Sequence, residues 1–148
     1  MKKLTDLRQH IENRVPELQR GPDRLICFIE DGQIEFWPGP SLNHQYRIPA
    51  RIIVTDYRGE ADDIIVPILE WLQHKEPGQD PKNTISLDVE VLSNDAVDLS
   101  VTLNLTERVI VSGAPGSYTI EHVIPQPGPE MDEDAELEVN TTDTRADG

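Results

Sequence analysis

Residues 45–73 read QYRIPARIIVTDYRGEADDIIVPILEWLQ. The first half belongs to a long apolar run, residues 43–56, whose β-branched side chains are typical of a strand. Pro49 cannot donate to a sheet ladder, which indicates that it lies at an edge or a bulge. A turn at residues 57–60 follows. This stretch therefore places a long strand at the centre of the domain, directly before a helix.

The second half of the stretch predicts an amphipathic helix. Asp62 or Asp63 can cap it and complement its positive end. Pro67 is tolerable only near the first turn, so we expect the helix to begin near Ile64. Trp71 is the expected core anchor, because a buried Trp removes a large apolar area from water. The predicted apolar face consists of Ile64, Ile65, Ile68, Leu69, Trp71 and Leu72.

The N-terminal part predicts a helix followed by a hairpin. Apolar residues recur at helical spacing over residues 4–19, with Pro16 disturbing the last turn. The apolar run at residues 24–30 predicts a strand buried on both faces. Asp31-Gly32 is a hairpin turn signal, and residues 33–37 would be the return strand.

The C-terminal half shows strict alternation of apolar and polar residues. Residues 85–91 and 97–105 form an antiparallel pair with one dry and one wet face, joined by a turn at residues 93–95. A last strand is expected at residues 118–124. The polar face carries Asp88, Glu90, Asp98, Ser100, Thr102 and Asn104. The predicted fold class is α+β: a mostly antiparallel sheet of five to six strands with two helices packed on one face.

Composition limits the classes of function. The chain has 148 residues and a formal net charge of −15, which argues against nucleic-acid binding. We predict one domain over residues 1–124 and an acidic, disordered tail over residues 125–148, because the tail has few large apolar groups. Cys27 is the single cysteine and is expected to be a buried small hydrophobe. No signal peptide or membrane-length apolar run is found, so we expect no membrane partner.

Catalytic motifs are not found in this sequence. Asp56, Glu60, Asp62 and Asp63 cluster at the strand-to-helix junction, and Asp88 and Glu90 lie on a strand, as in some metal-dependent nucleases. Glu90 is followed by Val91-Leu92, however, and the lysine of such sites is missing. The four histidines are scattered and lack metal-ligand spacing. We therefore predict a protein that is not an enzyme, without a cofactor or metal site.

Short structural signatures in a fixed order carry a family resemblance. They are a first helix leading to residues 21–25 (GPDRL), residues 39–41 (GPS) with Tyr46-Arg47, residues 56–59 (DYRG), residues 67–72 (PILEWL), and the alternating pair through residues 105–107 (LTE). Over residues 4–124 the chain resembles the tail completion protein R (GpR) family of contractile-tailed temperate phages. That family is in turn similar to tail terminators.

The resemblance implies a virion structural protein at the head-proximal end of the tail. It implies a homo-hexameric ring, because contractile tail tubes are six-fold, with the tail tube protein and the head–tail connector proteins as partners. DNA would pass through without specific binding, and assembly would take place in the bacterial host cytoplasm. We expect Asp88, Glu90 and Asp98 to face the lumen or a subunit contact. Nothing is carried over to the acidic tail.

Two other classes stay open at this point. One is a different phage tail or neck component, or a part of a related contractile injection apparatus, which its binding partner would distinguish. The other is a small acidic inhibitor that mimics nucleic acid, or a metal-dependent nuclease. An inhibitor would stay monomeric, and a nuclease would lose activity with a chelator.

Overall fold

The computed structural model describes residues 1–76 and 85–125. The predicted acidic tail lies outside the described residues, apart from Pro125. Helix α1 spans Lys2–Arg14 and α2 spans Pro16–Arg20, followed by a 3-10 turn at Pro22–Arg24. The remaining elements are β1 (Leu25–Ile29), β2 (Gln33–Glu35), β3 (His44–Tyr57), α3 (Asp62–Lys75), β4 (Ser86–Ser93), β5 (Ala96–Ala114) and β6 (Ser117–Val123).

All six strands of the described chain form one antiparallel sheet. Its order is β1-β3-β5-β4, with β2 pairing further along β3 and β6 pairing further along β5. The long strands β3 and β5 are therefore central, whereas β1 and β2 form one edge and β4 and β6 the other. This confirms the predicted fold class of a mostly antiparallel α+β domain.

The helices cover one face of this sheet. Alternate residues of β3 (Ala50, Ile52, Val54) and of β5 point into a core that also contains Leu7 and Ile11 of α1 and Ile64 of α3. The opposite face, which we call the open face, carries none of the described helices. Its central positions are Arg47, Pro49, Arg51 and Ile53 of β3 and Ser100, Thr102, Asn104 and Thr106 of β5.

The N-terminal helix is shorter than predicted. Val15 is extended, and Pro16 stands at the first position of α2, so the expected helix over residues 4–19 is two helices. The reason is that Pro16 disfavours helical backbone at the preceding residue and has no amide hydrogen to donate.

The prediction of a hairpin at Asp31-Gly32 was wrong. β1 and β2 do not pair with each other; both pair antiparallel with β3, in line, as one interrupted edge strand. Ile29 lies opposite Ala50 and Gln33 opposite Arg47, so residues 30–32 face only two residues of β3. This is a bulge, and the Glu30 amide donates to the Pro49 carbonyl there at 2.9 Å.

The expectation that β1 is buried on both faces was also wrong. Leu25 is buried, but Ile26, Phe28 and Ile29 are exposed. β1 pairs with β3 on one side only among the described strands, and its open-face side chains have no layer above them. An all-apolar strand therefore lies at an edge, which is unusual for a monomer.

Strand β4 departs from the predicted dry face in the same way. All eight of its residues are exposed, including Leu87, Val89 and Val91, which share the helix-side face with Leu99 and Val101. The alternation predicted the two faces of β4 correctly, but none of the described helices extends over this edge.

Helix α3 begins earlier than predicted. It starts at Asp62, which puts Pro67 inside the helix rather than near its first turn. Pro67 is buried, and its ring nitrogen cannot make one of the intrahelical hydrogen bonds. Leu69, predicted on the apolar face, is exposed instead.

The two acidic residues at the start of α3 act on the turn before it. No side chain caps the helix, although Asp62 and Asp63 both lie in its first turn. The Asp63 carboxylate accepts hydrogen bonds from the Glu60 amide at 3.1 Å and from the Tyr57 hydroxyl at 3.0 Å. The pKa of Tyr57 is raised to about 12. Burial of its side chain is the larger cause, and the hydrogen bond to Asp63 is the next.

Candidate assembly surfaces

The three acidic residues singled out from the sequence lie together on the open face. Asp88 is opposite Ser100, and Glu90 is opposite Asp98, so both pairs share that face. Asp88 and Glu90 are exposed and form no ion pair with any described residue. The like charges of Glu90 and Asp98, placed side by side, make this corner of the open face acidic.

Asp98 also has a structural contact. Its carboxylate accepts a hydrogen bond from the Asp56 amide at 2.8 Å. Asp56 has a positive φ of 54° at a second bulge, where the register of β3 against β5 shifts between Val54 and Tyr57. Asp98 therefore stabilises the backbone at this bulge, whatever it faces in an assembly.

The open face carries basic residues further from this acidic corner. Arg47 contacts the Glu35 carboxylate through Nε at 2.9 Å, and Arg51 contacts Glu30 at 3.2 Å. The hydrogen bond to Glu35 raises the pKa of Arg47. Sequence analysis did not find these pairs, because their members come from segments that only the sheet register brings together.

A second surface is apolar and lies at the far end of the sheet, beyond the helices. We call it the distal surface. It is a shallow depression of about 510 Å³ on the helix-side face. It is lined by Ile34, Phe36, Leu42, His44, Val111, Tyr118 and Ile120. Its members are contributed by four separate segments, so no single sequence window predicted it.

A buried polar cluster separates the distal surface from the core. Glu107 is fully buried, and its carboxylate accepts hydrogen bonds from the Lys2 and Lys3 amides at 3.0 and 2.8 Å. These are the first amides of α1, which have no partner inside the helix. The same carboxylate contacts Nδ1 of His122, whose ring stacks on Tyr46. Glu107 of β5 therefore caps the N-terminus of α1, although the two elements are far apart in the sequence.

A second buried carboxylate joins the end of α3 to this cluster. Glu76 is 7% exposed and accepts hydrogen bonds from Lys3 Nζ at 3.0 Å and from the Thr106 amide at 3.3 Å. Thr106 lies in the segment of β5 between the ends of β4 and β6. The Glu76 side chain thus fills a gap in that sheet edge.

Trp71 lies in the core, with 2% of its surface exposed. Its Nε1 donates to the Asp6 carboxylate at 2.8 Å, which ties α3 to α1. That Trp71 is the energetic anchor of the fold stays a prediction.

The acidic residues at the strand-to-helix junction do not form a metal-ligand group in the part of the chain that the structure describes. No three His, Cys, Asp or Glu side chains converge there closely enough to hold an ion. No helix among residues 1–76 and 85–125 has the length and apolar character needed to span a membrane.

The described residues form a small α+β domain whose sheet edges expose apolar side chains. The model of the P2 phage tail completion protein R (GpR) family matches residues 1–127, and the chain belongs to that family. The tail completion protein R of Escherichia phage P2 is 31% identical over 135 residues, covering 88% of this chain and 87% of that protein. No solved structure matches. The protein is therefore a structural component of a phage tail.

Proposed function

We propose that this protein completes the head-proximal end of the phage tail and makes it competent to join a filled head. The observation that carries the proposal is the family match across residues 1–127, together with a relative named for tail completion. In this role the protein binds the tail tube protein on one side and head–tail connector proteins on the other. It acts by assembly, and no catalytic step is assigned to it.

The form that suits this role is a homo-hexameric ring. Contractile tail tubes are six-fold, and a cap on such a tube keeps its symmetry. A ring needs two different surfaces on each subunit, because head-to-tail contacts join unlike patches. In the described part of the chain, the two edges of the sheet lie on opposite sides of the domain, which suits this requirement.

The acidic corner of the open face suits the lumen of such a ring. Asp88, Glu90 and Asp98 would present negative charge to DNA, which passes without binding. Changing Asp88 and Glu90 to lysine should then make assembled rings retain duplex DNA in a gel-shift assay at low salt, whereas wild-type rings do not. Equal DNA retention by both proteins would contradict a lumenal position.

The test of the proposed function is a gene deletion in the phage, complemented from a plasmid. Without the protein, electron microscopy should find filled heads and separate tails that fail to join, and the wild-type gene should restore complete particles. Assembly takes place in the host cytoplasm in this account. Normal head-joined particles in the deletion strain would contradict the proposal.

A further inference from the structure

The two edges of the sheet match each other in direction. β1 and β2 run antiparallel to β3, β3 runs antiparallel to β5, and β4 and β6 run antiparallel to β5. The two edges therefore run in opposite directions. If a second copy is placed beside the first in the same orientation, the edge strands that meet are antiparallel, the commoner and slightly more stable form of pairing.

β1 and β4 also match in level along the strands. Ile26 is opposite Ile53, Ile53 is opposite Ser100, and Ser100 is opposite Asp88. Ile26 and Asp88 are thus level with each other on the two edges, and both lie on the open face. The same relation holds on the helix side for Cys27 and Leu87, through Ile52 and Val101.

Both edges are interrupted at the same level. The bulge between β1 and β2 lies beside Pro49, which is opposite Asn104. On the other edge, β4 ends opposite Thr102 and β6 begins again opposite Arg108, so Asn104 lies within the gap. The Glu76 side chain occupies this gap, and only Glu35 of β2 is level with a residue of β6, so the level match extends over β1 and β4 alone.

Both edges expose apolar residues on the helix side of the sheet, and β1 also exposes Ile26 and Phe28 on the open face. Val89 and Val91 are 49% and 72% exposed on the helix side of β4, and Ile34 is 63% exposed on the helix side of β2. α1 packs over β1 but leaves β4 bare. When β1 of one copy lies beside β4 of its neighbour, helix α1 of the first copy comes close to the exposed Val89 and Val91 of the neighbour.

We propose that β4 of one subunit pairs with β1 of the next copy, so that the sheets of the two subunits form one continuous antiparallel sheet. This inference rests on the proposed ring and names its interface. Main-chain hydrogen bonds between β1 and β4 would fix the register, and the helix-side apolar residues of β4 would be buried. Neither edge strand β1 nor β4 contains the lysine or proline that protects natural sheet edges.

Disulfide trapping tests the inference. In a Cys27→Ser background, Ile26→Cys is combined in turn with Ser86→Cys, Asp88→Cys and Glu90→Cys. Directly opposite residues in an antiparallel pair have Cα atoms about 4.5–5.5 Å apart, within the roughly 4.4–6.8 Å range of disulfides. With oxidised glutathione, we expect one of the three pairs to give covalent multiples of the 16.7 kDa chain on a non-reducing gel.

Two controls fix the geometry. Ile26→Cys with Leu87→Cys puts the second thiol on the other face of β4 and should give at least tenfold less cross-linking. Each single-cysteine variant should stay monomeric on the gel, because the contact joins unlike edges, and an equal mixture of the two should stop at a dimer. Circular dichroism melting of each variant checks that it is folded.

The possible results distinguish a failure of the edge-to-edge interface from a failure of the proposed ring. If light scattering finds oligomers but none of the three pairs cross-links, edge-to-edge pairing is wrong and the ring still stands. If Ile26→Cys alone links to itself, the contact is two-fold rather than head-to-tail, and the inference is overturned. If the wild-type chain never assembles, with or without tail tube protein, both proposals are overturned.

Discussion

Two tryptophans occupy opposite environments in this chain and allow a matched comparison at the scale of single residues. Trp71 is 2% exposed and hydrogen-bonded to Asp6, whereas Trp37 is 71% exposed. The size and spacing of Trp71 predicted its burial. The contact with Asp6 could not be predicted, because it joins helices that lie far apart in the sequence.

Trp71→Ala should unfold or nearly unfold the monomer. Truncation of a buried Trp leaves a cavity and typically costs about 3–5 kcal/mol. This is a large share of the roughly 5–15 kcal/mol that stabilises a domain. The control, Trp37→Ala, should change the free energy of unfolding by less than about 0.5 kcal/mol. Urea denaturation followed by circular dichroism measures both, and equal stability of the two variants would contradict the core assignment.

Glu107→Ala should destabilise the domain by roughly 2–3 kcal/mol, because it leaves the buried Lys3 amide and the partly buried Lys2 amide without their acceptor. Glu107→Gln keeps one acceptor oxygen and should cost less. Glu121→Gln, on the exposed strand β6, serves as the surface control. Chemical denaturation of the three variants ranks them, and a Glu107→Ala variant as stable as the control would show that α1 does not need this cap.

Tyr57 should make stability depend on alkaline pH. Its pKa in the folded protein is raised from 10.0 to about 12, so the folded state holds the phenol proton more tightly than the unfolded state. The resulting stabilisation is complete below the unfolded pKa and is lost as pH rises from about 10 to about 12. The stability difference between wild type and Tyr57→Phe should shrink over that range. Tyr118→Phe, at an exposed tyrosine, should leave the pH profile unchanged.

At the scale of elements, the alternation of apolar and polar residues predicted which strands exist and which face of β5 is buried. The alternation could not predict which strands pair with each other. Asp31-Gly32 carries the signal of a hairpin turn, but the competing contact is with β3, where a bulge beside Pro49 accommodates the extra residue. The wholly apolar sequence of β1 predicted burial on both faces, because sequence alone does not show that a strand lies at the edge of a sheet.

Gly32→Ala should destabilise the bulge. A Cβ at residue 32 would lie 2.5 Å from the Arg47 carbonyl oxygen and 2.8 Å from Ile48 Cα, and both neighbours are backbone of the central strand β3. We expect a loss of about 1–3 kcal/mol, as for other overpacked sites. Gly39→Ala is the control, since its nearest neighbour is 4.0 Å away. Thermal melting that fails to separate the two variants would contradict the close approach at the bulge.

At the scale of the whole molecule, the domain leaves much apolar surface uncovered for a chain with a net charge of −15. The uncovered residues are concentrated on both sheet edges and on the distal surface. Such patches mark sites of interaction in soluble proteins. The family resemblance found in the sequence gave the class of protein, while the surfaces that would assemble became visible only when the register of the sheet placed separate segments side by side.

The most direct test of the ring is light scattering coupled to size-exclusion chromatography, on the full chain over a range of concentrations, with and without tail tube protein. We expect a species of six times the 16.7 kDa chain mass, formed alone or on tube ends of fixed length. A species of 16.7 kDa at every concentration, unchanged by the tube protein, would contradict it.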